Sequence, residues 1–280
     1  MHTILKRLLA DRMARGCMVF IAMLLALGVL APVLPIADPT AIDITGKFQM
    51  PGGGHWLGTD QLGRDIFSRL VWGIRTTLCA SLAAMLITSA IGALYGAIAG
   101  GMRGRVDAVM MRLADVMMSF PSEVLILAIV GMMGPGLTNM IIACVVAKWA
   151  WYARMMRTIV RRISDAGYVR FARVCGAGEA WILLRHLAPG AAGEFFVLVT
   201  LDTGSVVLMI SALSFLGLGV QPPVAEWGMM LSEAKEVMLQ YPWQMFWPGV
   251  AILSTVACFN FLGDCVRDAF DLRHAGRDGQ

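Results

Sequence analysis

Long apolar runs alternate with short polar segments along the chain, and six of the runs have the length or the pattern of membrane-crossing helices of roughly 20 residues. They fall at about residues 17–36, 78–100, 110–133, 138–152, 191–213 and 243–263. Between the first two lies a polar region, 38–75, whose second half places Leu62, Ile66, Leu70 and Ile74 at helical spacing opposite Arg64, Asp65 and Ser68. That pattern predicts an amphipathic helix on the membrane surface or against neighbouring spans. Pro121 predicts a kink in the third run, and Gly134, Pro135 and Gly136 predict a tight turn before the fourth.

The basic residues set the topology. Lys6, Arg7, Arg12 and Arg15 precede the first run, and Arg103 and Arg105 follow the second. Arg154 and Arg157 close the fourth, and Arg267, Arg273 and Arg277 follow the last. The positive-inside rule therefore puts both termini in the cytoplasm and the 38–75 region outside. The first run is longer than a leader's apolar region, and Pro32 and Pro35 replace a clean small-residue cleavage site, so an uncleaved span is expected.

The segment 164–190, SDAGYVRFARVCGAGEAWILLRHLAPG, is the longest polar interruption in the second half. Ser164 and Asp165 stand before one short helical pattern, Gly176 and Gly178 separate it from a second, and Pro189 with Gly190 is expected to end that one. Arg157, Arg161, Arg162, Arg170, Arg173 and Arg185 crowd around it, which assigns it to the cytoplasm. A structured cytoplasmic loop between spans is a candidate docking site.

Composition agrees: 58% of the 280 residues are hydrophobic and 15% charged, against roughly a quarter charged in soluble domains. The reading is an all-α integral membrane protein. The positives flank apolar runs and do not cluster with aromatics, which argues against a nucleic-acid partner. Cys17, Cys79, Cys144, Cys175, Cys258 and Cys265 never form a Cys-x-x-Cys pair and read as small apolar residues.

A search for chemistry excludes most enzymes. The chain has no phosphate loop of the Gly-x-x-x-x-Gly-Lys-Ser/Thr type, no Gly-x-Ser-x-Gly and no His-Glu-x-x-His, and His2, His55, His186 and His274 are scattered. No catalytic residue, metal ligand or cofactor site is expected in this chain. Glu123, Lys148 and Asp202 fall in or near spans, where a lone charge costs a few kcal/mol or more. Either they line a path or they fix packing, Lys148 by reaching for the interface and the acids by bonding between helices. Lys148 and Asp202 are candidates for a pair across the fourth and fifth spans. The 21 methionines, several in adjacent pairs such as Met132 and Met133, read mainly as flexible space fillers. An ion-coupled secondary transporter would show two related halves, and none is apparent.

The 164–190 segment resembles the signature of the permease subunits of ABC importers: Glu-Ala-Ala, three residues, Gly, nine residues, His or a similar residue, two residues, Pro. Arg170, Phe171 and Ala172 occupy the first three positions, and Gly176, His186 and Pro189 fall at the signature spacing. Arg170 and Phe171 depart from the first two. The strings HWLGTDQLGRDIFSRL, GLTNMIIA, WAWYARMMR, SFLGLGV, AEWG and QMFWPG are similar to the dipeptide, oligopeptide and nickel branch, most of all to a nickel permease subunit.

This resemblance implies a type I ABC importer permease fold of about six transmembrane helices in a bacterial inner membrane. Residues 1–75 would hold the tail, first helix and external segment, 76–266 the permease core, and 267–280 a cytoplasmic tail. It implies half of a translocation channel, completed by a second homologous permease, with two ATP-binding subunits beneath and a periplasmic or lipid-anchored binding protein above. It further implies that 164–190 docks an ATPase through Arg170, Ala172, Gly176, Glu179, Arg185, His186 and Pro189. The implied cargo is nickel as a chelate, with dipeptides or oligopeptides as the alternative.

Overall fold

The computed structural model describes residues 8–52 and 54–275, with side chains to residue 270. His2, Lys6, Arg7 and Arg277 lie outside the described residues, as do the side chains of Arg273 and His274. The architecture is helical: α1 (Arg12–Leu30), α2 (Ile66–Met102), α3 (Gly104–Met118), α4 (Ser122–Met133), α5 (Leu137–Ser164), α6 (Gly167–Val174), α7 (Glu179–Ile182), α8 (Ala188–Phe215), α9 (Trp227–Lys235) and α10 (Trp243–Ala275). Among the described residues the only strand-like pairings are two isolated bridges, Gly52 with His55 and Thr59 with Asp65.

Four stretches are long and apolar enough to cross a bilayer: Arg12–Val33, Ile66–Met102, Glu179–Phe215 and Trp243–Phe270. The pair α3 and α4 meets that standard only jointly, and it is bent by 77°. The expected kink is thus a break. Pro121 is extended, with ψ 129°, and cannot carry the helix through. Glu123 consequently lies exposed in the first turn of α4, where the helix dipole favours an acid, and not within a continuous span.

The remaining predicted span, α5, is less apolar because Asn139, Lys148, Arg154 and its aromatics dilute the run. It is packed against α2, α3, α4 and α8, so it does not need an apolar surface all round. Its junction with α2 is closest where Gly92, Gly96 and Gly100 meet the α5 backbone from Trp149 to Arg157, an arrangement that small residues permit in lipid.

Boundaries shift for physical reasons. α1 starts earlier than the apolar run because Asp11 caps it, accepting from Met13 N at 2.7 Å, and it stops near Pro32 in a three-residue 3₁₀ turn, Ala31–Val33. The fourth and sixth spans extend beyond their apolar runs as α5 and α10, whose outer turns are polar. Of the cysteines, Cys17 and Cys144 are buried as expected of small apolar residues, while Cys79 and Cys175 are exposed.

The 38–75 region also departs from expectation. No helix covers 62–65; α2 begins at Ile66, capped by Asp65, and runs without interruption past residue 75. Arg64 and Arg69 are only 1% and 2% exposed and meet Glu233 on α9, while Asp65 bonds His55 and Ser68 the Ala37 carbonyl, so the polar stripe faces inward onto protein and not a membrane surface. Their charges are matched there, as described below.

Candidate functional site

Two polar constructions lie at opposite ends of the bundle, one at the end bearing residues 164–190 (the loop end) and one at the far end. A third lies between α5 and α8.

At the loop end, α6 is amphipathic over its two turns. Val169 is buried and Ala172 packs beside it on a cluster containing Tyr152, Ile159, Ile182 and Leu187, while Tyr168, Phe171 and Val174, three apart, are exposed together. The helix ends in a Schellman motif: Ala177 N donates to Ala172 O at 3.1 Å, and Gly176 N donates to Arg173 O at 3.0 Å. Gly176 has φ +86°, and a Cβ built on it meets nothing within 4 Å. The demand at this glycine is therefore on backbone conformation and not on space.

Pro189 and Gly190 do not end the second helical piece. A wider π turn over Leu183–Leu187 carries α7 into α8, with Pro189 in the first turn of α8. The proline has no N–H for the carbonyl of Arg185, and the π turn accommodates that gap. His186 sits with its ring 5.1 Å from Trp181 and 5.9 Å from Tyr168. Arg170 and Arg185 are exposed. Glu179 is already engaged inside the chain, accepting from Arg173 Nε at 2.8 Å.

Side chains from the α2–α3 turn hold this loop. Arg103, itself at φ 48°, pairs with Asp165 and donates to Ser164 Oγ at 3.2 Å. Arg173 donates to the same Ser164 Oγ at 2.8 Å. The hydrogen bond from Arg103 is the main cause that holds the Asp165 carboxyl below its ordinary pKa. Nearby, Asp107 accepts from Arg157 at 2.7 Å and from Arg161 at 2.5 Å, joining α3 to α5.

Between α5 and α8, Lys148 Nζ donates to Asp202 Oδ2 at 2.7 Å, and Tyr152 Oη donates to the same oxygen at 2.6 Å. The lysine and aspartate side chains are 16% and 15% exposed. The pair thereby meets the need for a counter-charge in a span. Glu123 is not brought to it, since it lies in the exposed first turn of α4.

At the far end, Asp60 Oδ2 accepts from Arg64 Nε at 2.7 Å and from Arg69 Nη1 at 2.5 Å. Glu233 Oε2 on α9 accepts from Arg64 Nη2 at 2.9 Å and forms an ion pair with Arg69 Nη1 at 2.7 Å. Two positive and two negative groups thus close a buried ion cluster between the start of α2 and α9. Gly63, at φ +75°, makes the turn beneath it and lies against the Asp43 backbone, where a Cβ would come 2.6 Å from the carbonyl carbon. About two helical turns away, Glu226 accepts from Thr77 Oγ1 at 3.0 Å and Met229 N at 2.8 Å, while Trp227 Nε1 donates to Leu70 O at 3.0 Å. This construction escaped the periodicity reading. Its one signal was the dense run of Gly, Asp and Arg between Gly58 and Arg69.

Among the described residues no group of three or more His, Cys, Asp or Glu side chains is placed to hold one metal ion. The arrangement is one of anchored helices and loops.

Residues 92–275 match the family described as binding-protein-dependent transport system inner membrane component, and the chain belongs to that family. It is a permease subunit of an ABC importer, of the peptide and nickel branch, and a multi-pass inner-membrane protein. Among curated relatives, it is 45% identical over 234 residues to the nickel transport system permease protein NikC of Escherichia coli strain K12, covering 84% of each chain. It is 42% identical over 275 residues to the metal-staphylopine import system permease protein CntC of Staphylococcus aureus strain NCTC 8325, covering 98% of this chain and 95% of the relative. Identity to the oligopeptide transport system permease protein OppC of Bacillus subtilis strain 168 is 33% over 265 residues, covering 95% and 87%. A chain of the inward-facing MetNI methionine ABC transporter matches with a TM-score of 0.60 at 20% identity, covering 72% of this chain and 96% of that one, which establishes the type I importer permease fold.

Proposed function

We propose that this chain forms half of the channel of an importer that carries nickel inside a chelate. The observation that carries the reading is the identity of 45% and 42% to permeases named for nickel and for a metal-staphylopine complex. The lack of a metal-holding group among the described side chains suits a cargo that keeps its own ligands during passage. ATP hydrolysis then belongs to two partner chains, recognition of the chelate to a binding protein, and the rest of the channel to a second permease. Both termini and the 164–190 loop face the cytoplasm in this reading, consistent with Arg161, Arg162, Arg170, Arg173 and Arg185.

The loop docks an ATPase, with Tyr168, Phe171 and Val174 as the apolar face and Arg170 and Arg185 as charges beside it. Exposed large apolar side chains gathered on one short helix are the mark of a protein interface. Movement there reaches the spans directly, since α5 enters the loop and the π turn leads out into α8.

Uptake of labelled nickel, with and without chelator, by cells carrying the complete transporter or lacking only this chain tests the proposal. Loss of chelate uptake with this chain is the expected result. The identity to OppC favours oligopeptides as a second reading, and that reading replaces the first if deletion abolishes oligopeptide uptake and leaves nickel unchanged.

A further inference from the structure

The ion cluster at the far end leaves part of Arg69 unspent. Its Nη1 serves both carboxylates, at 2.5 Å and 2.7 Å, while Nε and Nη2 are buried without a protein partner. Two acceptors are in the same condition, Gln61 Oε1 and Gln244 Oε1. Gln244 is oriented by its own amide, whose Nε2 donates to Thr59 O at 3.4 Å, so the free oxygen is the end turned away from that bond. Arg69, Gln61 and Gln244 all line one small cavity of about 10 Å³, walled on its apolar side by Ile66 and Met230.

We infer that this cavity is a binding site for a single structural water, which accepts from Arg69 Nε and Nη2 and donates to Gln61 Oε1 and Gln244 Oε1. The size is that of one water, which needs two to four polar partners to be held. The chemistry selects water over an ion. A bare anion would satisfy the guanidinium but face two amide oxygens, and a bare cation would satisfy the oxygens but face the guanidinium. The surrounding charges already balance, with Asp60 and Glu233 against Arg64 and Arg69, so a further charge has no counterpart. A molecule with two donors and two acceptors can serve both free acceptor atoms and both free donor atoms at once. Without it, each orphaned group would bear the full penalty of burial. The water thus completes the cluster that fastens the start of α2 to α9, and Gln61 and Gln244 act as positioning residues for it.

The test is a structure of the complete transporter in lipid nanodiscs at a resolution that shows ordered water, determined once in chloride and once in bromide. The expected result is one density peak within hydrogen-bond distance of all four atoms, equally strong in chloride and in bromide. The inference is overturned by an empty cavity, by a peak that exchanges for bromide, or by either glutamine turned to bond Arg69 directly. The double variant Gln61→Leu with Gln244→Leu, which removes both acceptors, is expected to lose the peak and lower the Tm of the purified complex. Each single variant is expected to lower Tm by less. A double variant with unchanged Tm also overturns it.

Discussion

Lys148 and Asp202 join the two long helices that flank the loop, with Nζ 2.7 Å from Oδ2. Force applied to the loop therefore reaches α5 and α8 through helices already fastened to each other. Removing one partner leaves the other charge enclosed, and breaking a buried pair typically costs about 3–5 kcal/mol. Lys148→Met is expected to lower thermal stability and transport together, with partial recovery on adding Asp202→Asn. A double-mutant cycle on Tm and uptake measures this coupling, and strictly additive effects would refute it. Tyr152→Phe removes only the second donor to Asp202, and its expected cost is smaller, about 1.5–3 kcal/mol.

The seam between α2 and α5 leaves no room at Gly96. A Cβ there would come 2.9 Å from the carbonyl carbon of Ala153 and 2.9 Å from Arg157 N, which are backbone atoms that cannot swing aside. Gly96→Val should therefore force the two helices apart, at a cost of at least the 1–3 kcal/mol usual for overpacking. Gly131→Ala is the control, because nothing lies within 4 Å of a Cβ at that position. Monodispersity and Tm of the purified complex should fall for the first variant and hold for the second.

How much of this was legible in the sequence follows from what sets each feature. The span helices could be read because the bilayer demands long apolar runs, and the Schellman end of α6 because a left-handed residue favours glycine, here Gly176. The broken α3–α4 pair was marked by Pro121, but not the 77° angle, which depends on packing. Arg64 was misplaced, and the part of Arg69 missed, because periodicity treats a charged stripe as solvent-facing. Their partner Glu233 is 169 residues from Arg64 in sequence, and a local pattern carries no trace of it. The extension of α7 into α8 was hidden for the opposite reason: Pro189 and Gly190 are local stop signals that tertiary packing and a π turn overrode.

The anchor of the loop has a definite pH signature. Asp165 has a depressed pKa in the folded chain, chiefly through its hydrogen bond from Arg103. A depressed carboxyl contributes stability that is present above its unfolded pKa, near 3.9, and is lost as pH falls through the lower folded value. Across pH 5–8 the Arg103 to Asp165 contact should hence stay constant. High salt should weaken it, because both side chains are well exposed. Limited proteolysis of residues 164–190 in the purified complex should be flat over that pH range. It should rise with salt and rise similarly in Arg103→Gln at low salt.

Gly176 separates conformational demand from steric demand in the loop. With φ +86° and open space around a Cβ, a substitution there meets no wall but must hold a left-handed backbone. Asparagine tolerates that conformation far better than a β-branched residue does. Gly176→Asn is therefore expected to keep ATPase association and uptake near wild type, whereas Gly176→Val should reposition α6 and weaken both. The exposed face of α6 supplies the complementary change. Phe171 is 69% exposed and makes little contribution to the chain's own packing, so Phe171→Asp should leave Tm of the isolated subunit nearly unchanged while reducing co-purification of the ATPase. The pattern that checks the docking assignment is thus a dissociation of readouts. Val at 176 should disturb the loop itself, seen as faster proteolysis. Asp at 171 should leave proteolysis of the isolated subunit unchanged and abolish the partner contact. If Phe171→Asp retains full ATPase association and uptake, the apolar face of α6 is not where the motor docks.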